Sequence, residues 1–189
     1  MDCYDVTEMK MRLLKELNPR RYEHTLGVAS TAFCLALKHG ADSEKAYVAG
    51  LLHDCAKCFS EDKSLTLCKK YKLELTDSEK KTPSLIHAPL GAAYAKNKYG
   101  VEDEEILEAI KWHTTGKADM NLLEKIVFSA DYMEPNRKKL LGLDEIRKVA
   151  FEDLDLCMRL ILENTIQHLK NKEMNINAMS VEALKYYTP

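Results

Sequence analysis

Apolar residues recur three or four positions apart along most of this chain, and no run alternates apolar and polar residues with a period of two. Spacing of three and four places residues on one face of an α-helix, whereas a half-buried strand needs every second residue apolar. The fold class expected is all-α, a helical bundle with no sheet. At 189 residues the chain fits a single domain spanning its whole length and can bury a sizeable core. No internal repeat or low-complexity segment divides it.

Punctuation sets the helix boundaries. A first helix covers about residues 5–17 and stops at Asn18-Pro19, because proline cannot lie inside a helix without breaking it. A second, about 20–38, stacks Thr25, Ala29, Ala32 and Ala36 on one face and ends at His39-Gly40. Asp42 or Ser43 caps a third, which carries Ala46, Ala49, Gly50 and His53 along one side. A charged helix of about 61–71 leads into a polar stretch with Thr82-Pro83-Ser84, read as a loop. Further helices cover about 85–99, ending at Gly100, then 103–113 and 122–133, the last two separated by Thr114-Thr115-Gly116. The final helix is expected to be long, about 143–170. Its Leu143, Ile146, Ala150, Leu154, Cys157 and Ile161 form one continuous apolar stripe. That stripe would face the core, and a share of it could support a homodimer.

A formal net charge of −2 gives no global attraction for nucleic acid, so a polyanionic ligand would have to be held by a local cation cluster or a metal. The first 17 residues are charged and lack the apolar segment of a signal peptide, and no apolar run is long enough to span a membrane. A cytoplasmic protein with reduced thiols is expected. Cys34 and Cys157 fall in apolar helical patterns and read as core thiols. Cys55-x-x-Cys58 is a single CxxC with no second pair, weak support for zinc or redox chemistry.

Polar groups turn up where a purely structural helix would carry leucine. His53-Asp54 closes an apolar helix, and Asp131 follows the apolar run Ile126-Val127-Phe128-Ser129-Ala130. A buried carboxylate is costly unless paired or metal-bound. Any one histidine on an apolar face is more often a hydrogen-bonded core residue, and His39 beside Gly40 reads as a helix C-cap. His168 has no acidic partner in the pattern. The ordered set His24, His53-Asp54, His87, His113 and Asp131 is harder to explain structurally.

That set resembles the HD superfamily of metal-dependent phosphohydrolases, named for its adjacent His-Asp pair. Five blocks are similar to its YqeK branch: Arg21-x-x-His24, Gly50-Leu51-Leu52-His53-Asp54-x-Ala56-Lys57, His87-Ala88-Pro89-Leu90-Gly91-Ala92, Trp112-His113-Thr114-Thr115-Gly116, and Ala130-Asp131-Tyr132-Met133-Glu134-Pro135-Asn136-Arg137. The resemblance implies an HD-type helical bundle with the metal-site helices at about 20–137, followed by the long helix and tail at about 143–189. It also implies a metal held by His24, His53, Asp54 and Asp131. The substrate, diadenosine tetraphosphate cut symmetrically into two ADP, is supplied by the resemblance alone.

Imidazole and carboxylate ligands suit iron, the metal expected here, and also manganese or zinc, with one or two ions per chain. Such an ion would acidify a bound water, and the resulting hydroxide would attack a phosphoryl group. Asp54 could orient it or take its proton. His87 and His113 either hold a second ion bridged by Asp54 or donate hydrogen bonds to phosphate, the latter being the expectation. Lys57, one turn after Asp54, is assigned with Asp54 to catalysis. Arg21, Lys57 and Arg137 are the counter-charges for substrate, with Thr114, Thr115 and Gly116 as further contacts, and the tail at about 174–180 could fold back over the nucleotide. Two other readings remain. One is an HD phosphohydrolase acting on a different nucleotide, such as a deoxynucleoside monophosphate. The other is a catalytically silent helical module that senses nucleotide. No Gly-Tyr-Pro motif follows the set, against a cyclic-dinucleotide substrate.

Overall fold

A computed structural model describes residues 4–137 and 142–189, and Cys3 lies outside them. The described residues form eleven α-helices and no strand. They are α1 (Val6–Glu16), α2 (Pro19–His39), α3 (Ser43–Leu52), α4 (Glu61–Lys70), α5 (Asp77–Lys81), α6 (His87–Tyr99), α7 (Glu104–Trp112), α8 (Leu122–Met133), α9 (Leu143–Val149), α10 (Leu154–Asn171) and α11 (Ala178–Tyr187).

Local chemistry sets most boundaries. Asp5, Asn18, Asp42 and Asp103 each cap a helix by accepting backbone N–H bonds in its first turn, and Pro19 opens α2, where its missing N–H costs nothing. Gly40 and Gly100 close α2 and α6 in the left-handed conformation.

The long α2 forms the spine, packed against α3 and α8, while α3 also contacts α7 and α8. The predicted face of Thr25, Ala29, Ala32 and Ala36 is buried. Small residues let helices approach closely there. A Cβ on Gly50 would stand 2.9 Å from the Ala29 Cα. That contact brings the end of α3, and the residues after it, against the middle of α2.

Three expectations need correction. The helix expected over 143–170 is two, α9 and α10. Asp153 accepts from the backbone N–H groups of Asp155 and Leu156 and so starts a new helix. The apolar stripe still runs through the break, with Leu143, Ile146, Ala150, Leu154, Cys157 and Ile161 all buried. Periodicity therefore concealed the interruption, and the stripe is spent on the core of the chain itself. The polar stretch before Pro83 contains α5, held by a reciprocal Thr76–Glu79 capping box, and leads into a 3-10 turn at Pro83–Leu85. Cys34 is exposed, although Cys157 is buried as expected.

The tail packs against the bundle. Its helix α11 packs on α10, the Ser180 hydroxyl donates to the Thr115 carbonyl at 2.8 Å, and the Met120 N–H donates to the Tyr187 hydroxyl at 2.9 Å. No helix among the described residues is long and apolar enough to cross a membrane.

Candidate metal centre

Six side chains from five parts of the bundle converge beside the N-terminal half of α2. His24 comes from α2 itself, and His53 and Asp54 follow the last residue of α3. His87 opens α6, His113 follows α7, and Asp131 lies in the last turn of α8. His53 and Asp54 are 0% and 1% exposed, and His24, His87 and His113 are buried as well. Ligand atoms of His24, His53 and Asp131 lie within 4.8 Å of one another, as do those of His53, Asp54 and His113.

The two oxygens of Asp54 face different groups. Oδ2 lies 3.4 Å from His53 Nε2 and 3.8 Å from His24 Nε2, and accepts from Arg21 at 2.6 Å. Oδ1 lies 3.4 Å from His87 Nε2, 3.6 Å from His113 Nε2 and 3.2 Å from Lys57 Nζ. Asp131 Oδ1 is 3.0 Å from His24 Nε2 and is paired with Arg137, whose Nε–H also donates to the Asp131 carbonyl. Thr114 Oγ1 lies 3.2 Å and 3.0 Å from the Nε2 atoms of His87 and His113. Gly116, at φ +62°, turns the chain after that pair, and Thr115 meets the tail through its carbonyl.

Hydrogen positions follow from these contacts. His53, His87 and His113 aim Nδ1 at the carbonyls of Gly50, Ser84 and Ile110, at 2.7, 2.5 and 2.6 Å. A carbonyl can only accept, so Nδ1 carries the hydrogen, and in a neutral ring Nε2 is left as a lone pair. Burial pushes His87 down to about 3, with Lys57 and His113 adding to the effect, so this ring is neutral near pH 7. Burial favours the neutral form of Asp54, but the carboxyl lies well below the usual range, with the Lys57 ammonium beside Oδ1 helping to hold it there. Asp131 is likewise driven down against burial, with the Arg137 guanidinium paired to it.

The result is a crowd of acceptors facing one another. Among the described residues His24 Nε2 and His53 Nε2 are buried with no hydrogen-bond partner, and Asp54 Oδ1 has the Lys57 ammonium 3.2 Å away. A buried unpaired acceptor costs about 1–3 kcal/mol, so two imidazole nitrogens left this way beside Asp54 and Asp131 call for a cation. Nitrogen and carboxylate donors of this kind fit a first-row divalent metal. Beside the cluster, Arg20, Arg21 and Arg137 line an open cleft of about 640 Å³ together with Asn18, Asn136 and His24.

Every side chain selected from the sequence as a ligand or counter-charge therefore reaches this region. His39 instead bonds the Ala150 carbonyl at 2.7 Å, with Gly40 taking the C-cap, and His168 is exposed near the end of α10. Sequence reasoning missed Glu134, which is buried beside His24 at 3.2 Å, and also Arg20, Asn18 and Asn136. The available signal for Glu134 was its place three residues after Asp131. Cys55 and Cys58 are free thiols, and burial pushes both up, away from nucleophilic character.

Helices, buried histidines and paired aspartates of this kind match the HD domain over residues 21–136, and the chain belongs to that family. It is 43% identical over 167 residues to a Halalkalibacterium halodurans protein, covering 88% of each chain, named bis(5'-nucleosyl)-tetraphosphatase, symmetrical. A Bacillus subtilis protein of the same name is 42% identical over 86% of each chain. In three dimensions the chain superimposes with a TM-score of 0.93, at 39% identity over 97% of both chains, on a Clostridium acetobutylicum crystal structure described as a "predicted HD superfamily hydrolase involved in NAD metabolism".

Proposed function

We propose that this chain hydrolyses diadenosine tetraphosphate symmetrically to two ADP in a metal-dependent reaction in the cytoplasm. The observation that carries this reading is the shared name of relatives 42–43% identical over 86–88% of both chains. The chemistry of the site supports it independently. His24, His53, Asp54 and Asp131 would hold a divalent ion, iron in this reading, with manganese or zinc as alternatives. When bound, such an ion polarises a phosphoryl oxygen and lowers the pKa of a coordinated water toward neutrality.

The protein's own groups supply the rest. Asp54 Oδ1 faces the Nε2 atoms of His87 and His113 and can accept a hydrogen bond from the attacking water, which orients it. Lys57, 3.2 Å from that oxygen, is placed to neutralise charge building on the phosphoryl group in the transition state. Arg21 and Arg137, each anchored by an aspartate, line the cleft, where planar guanidinium forks would match phosphate oxygens.

His87 and His113 favour a second ion over direct donation to phosphate. Their Nε2 atoms are 3.1 Å apart, and each ring spends its Nδ1 hydrogen on a carbonyl. Two lone pairs at that distance repel unless a cation or a hydroxyl hydrogen lies between them, and the Thr114 hydroxyl offers only one. His87, His113 and Asp54 Oδ1 would form that second site.

The test is product chromatography with the metal-loaded protein over a nucleotide panel, paired with elemental analysis. ADP as the sole product of diadenosine tetraphosphate is expected. AMP plus ATP would rule out symmetrical attack. Faster release of phosphate from deoxynucleoside monophosphates would move the substrate elsewhere in the family, and binding without turnover would leave a nucleotide sensor.

A further inference from the structure

The four histidines are not held alike. His53 and His113 lie just past the ends of α3 and α7, and His87 follows a 3-10 turn, so each finds a carbonyl three residues back that no helical N–H claims. His24 sits inside α2, where such carbonyls are engaged in the helix. Its Nδ1 needs a partner from elsewhere, and that partner is Oε1 of Glu134, at 3.2 Å, from a residue 110 positions away.

Glu134 is 1% exposed and held on several sides. Its Oε2 accepts the Asn136 N–H at 2.7 Å, its own N–H donates to the Ala130 carbonyl, and its carbonyl accepts from Arg147 of α9 at 3.0 Å. The space for its carboxylate is made by a glycine. A Cβ on Gly27, three residues after His24 on α2, would stand 2.5 Å from Oε2 and 3.3 Å from Cδ.

We propose that Glu134 is the positioning residue for His24: it fixes Nε2 as the nitrogen facing the metal centre, and Gly27 is there to admit its carboxylate. A carboxylate acceptor polarises the Nδ1–H bond more than the carbonyls serving the other rings. The proposal rests on His24 being a metal ligand, and the experiment separates the two claims.

Mn2+ is titrated calorimetrically into metal-free wild type, Glu134→Ala, Glu134→Gln, Gly27→Ala and the Gly27→Ala/Glu134→Ala pair, and thermal unfolding of each metal-free protein is recorded. Outer partners of ligating histidines typically govern affinity by about 10- to 100-fold, and a loss of that size is expected for Glu134→Ala and Gly27→Ala. Glu134→Gln should lose less, because its amide oxygen still accepts from Nδ1. Gly27→Ala brings its Cβ against the Glu134 side chain, nearest to Oε2, and improves helix propensity, so its metal-free unfolding temperature should fall less than that of Glu134→Ala. A purely structural role for Glu134 would leave Mn2+ affinity in Gly27→Ala unchanged. In the double variant Gly27→Ala should add nothing to the loss caused by Glu134→Ala, since both act through one carboxylate. Wild-type affinity in Glu134→Ala or Gly27→Ala, or additive losses in the pair, would overturn the assignment. A wild type that takes up no Mn2+ would instead remove the metal-centre reading and this inference with it.

Discussion

Replacing Gly50 by alanine tests how tightly α2 and α3 must approach for the centre to form. The added Cβ would meet the Ala29 Cα at 2.9 Å, and the Ala29 nitrogen and Val28 carbonyl oxygen at 3.2 Å. All three are backbone atoms in a helix and cannot rotate aside. Favourable contact between carbon atoms begins at about 3.5–4.0 Å, so the helices would have to part by roughly 0.6–1 Å. Overpacking of a buried face costs about 1–3 kcal/mol. Against it, alanine improves helix propensity over glycine by about 1 kcal/mol. Because the collision is with rigid backbone, the cost falls in the upper half of its range, leaving a net loss of about 1–2 kcal/mol. For a chain of this size that lowers the unfolding temperature of the metal-free protein by about 2–8 °C. The separation also carries His53 away from His24, whose ring centroids are 5.3 Å apart, and sites of this kind tolerate only about 0.5 Å. Thermal unfolding and Mn2+ titration should both register the change. An unfolding temperature at or above wild type with unchanged affinity would mean that propensity wins and that Gly50 does not set the spacing.

Lys57→Ala should keep wild-type metal content while kcat on diadenosine tetraphosphate drops about 100-fold, the scale for one lost transition-state contact. Wild-type kcat, or loss of the metal, would contradict its proposed role. For the pH dependence, His87 is held down to about 3 from an ordinary value of 6.5, chiefly by burial. Between those values the unfolded chain binds a proton that the folded chain refuses. The contribution is therefore present above pH 6.5 and lost as pH falls toward 3, by up to about 4–5 kcal/mol. Urea titrations of the metal-free protein across that range should show the slope, and His87→Gln should flatten it. An equally steep slope in the variant would refute the assignment.

Helices were legible where an apolar stripe coincided with a cap or a breaker, as at Asn18-Pro19 for α2 and at Asp103 for α7. The break at Asp153 was not, because the stripe keeps its phase from Leu143 to Ile161 through the interruption and periodicity reads only phase. Helix α5 buries no residue, and so left no pattern to detect, only the Thr76–Glu79 cap. Cys34 shows the converse error: an apolar neighbourhood in sequence does not say which way one side chain of α2 faces.

The metal-capable residues themselves announced their presence locally. His53-Asp54 and Asp131 are polar groups ending apolar runs, an anomaly that one short stretch of chain suffices to display. By itself, then, the sequence determined the helical class and the identities of the groups that converge. Their partnerships were settled only by tertiary structure. The two faces of Asp54, the opposed Nε2 atoms of His87 and His113, and the pairing of His24 with Glu134 all depend on where α2, α3, α6, α7 and α8 meet. The physical reason is that hydrogen-bond and ligand geometry is decided over a few ångströms between helices far apart in the chain. No periodicity along the chain records that distance.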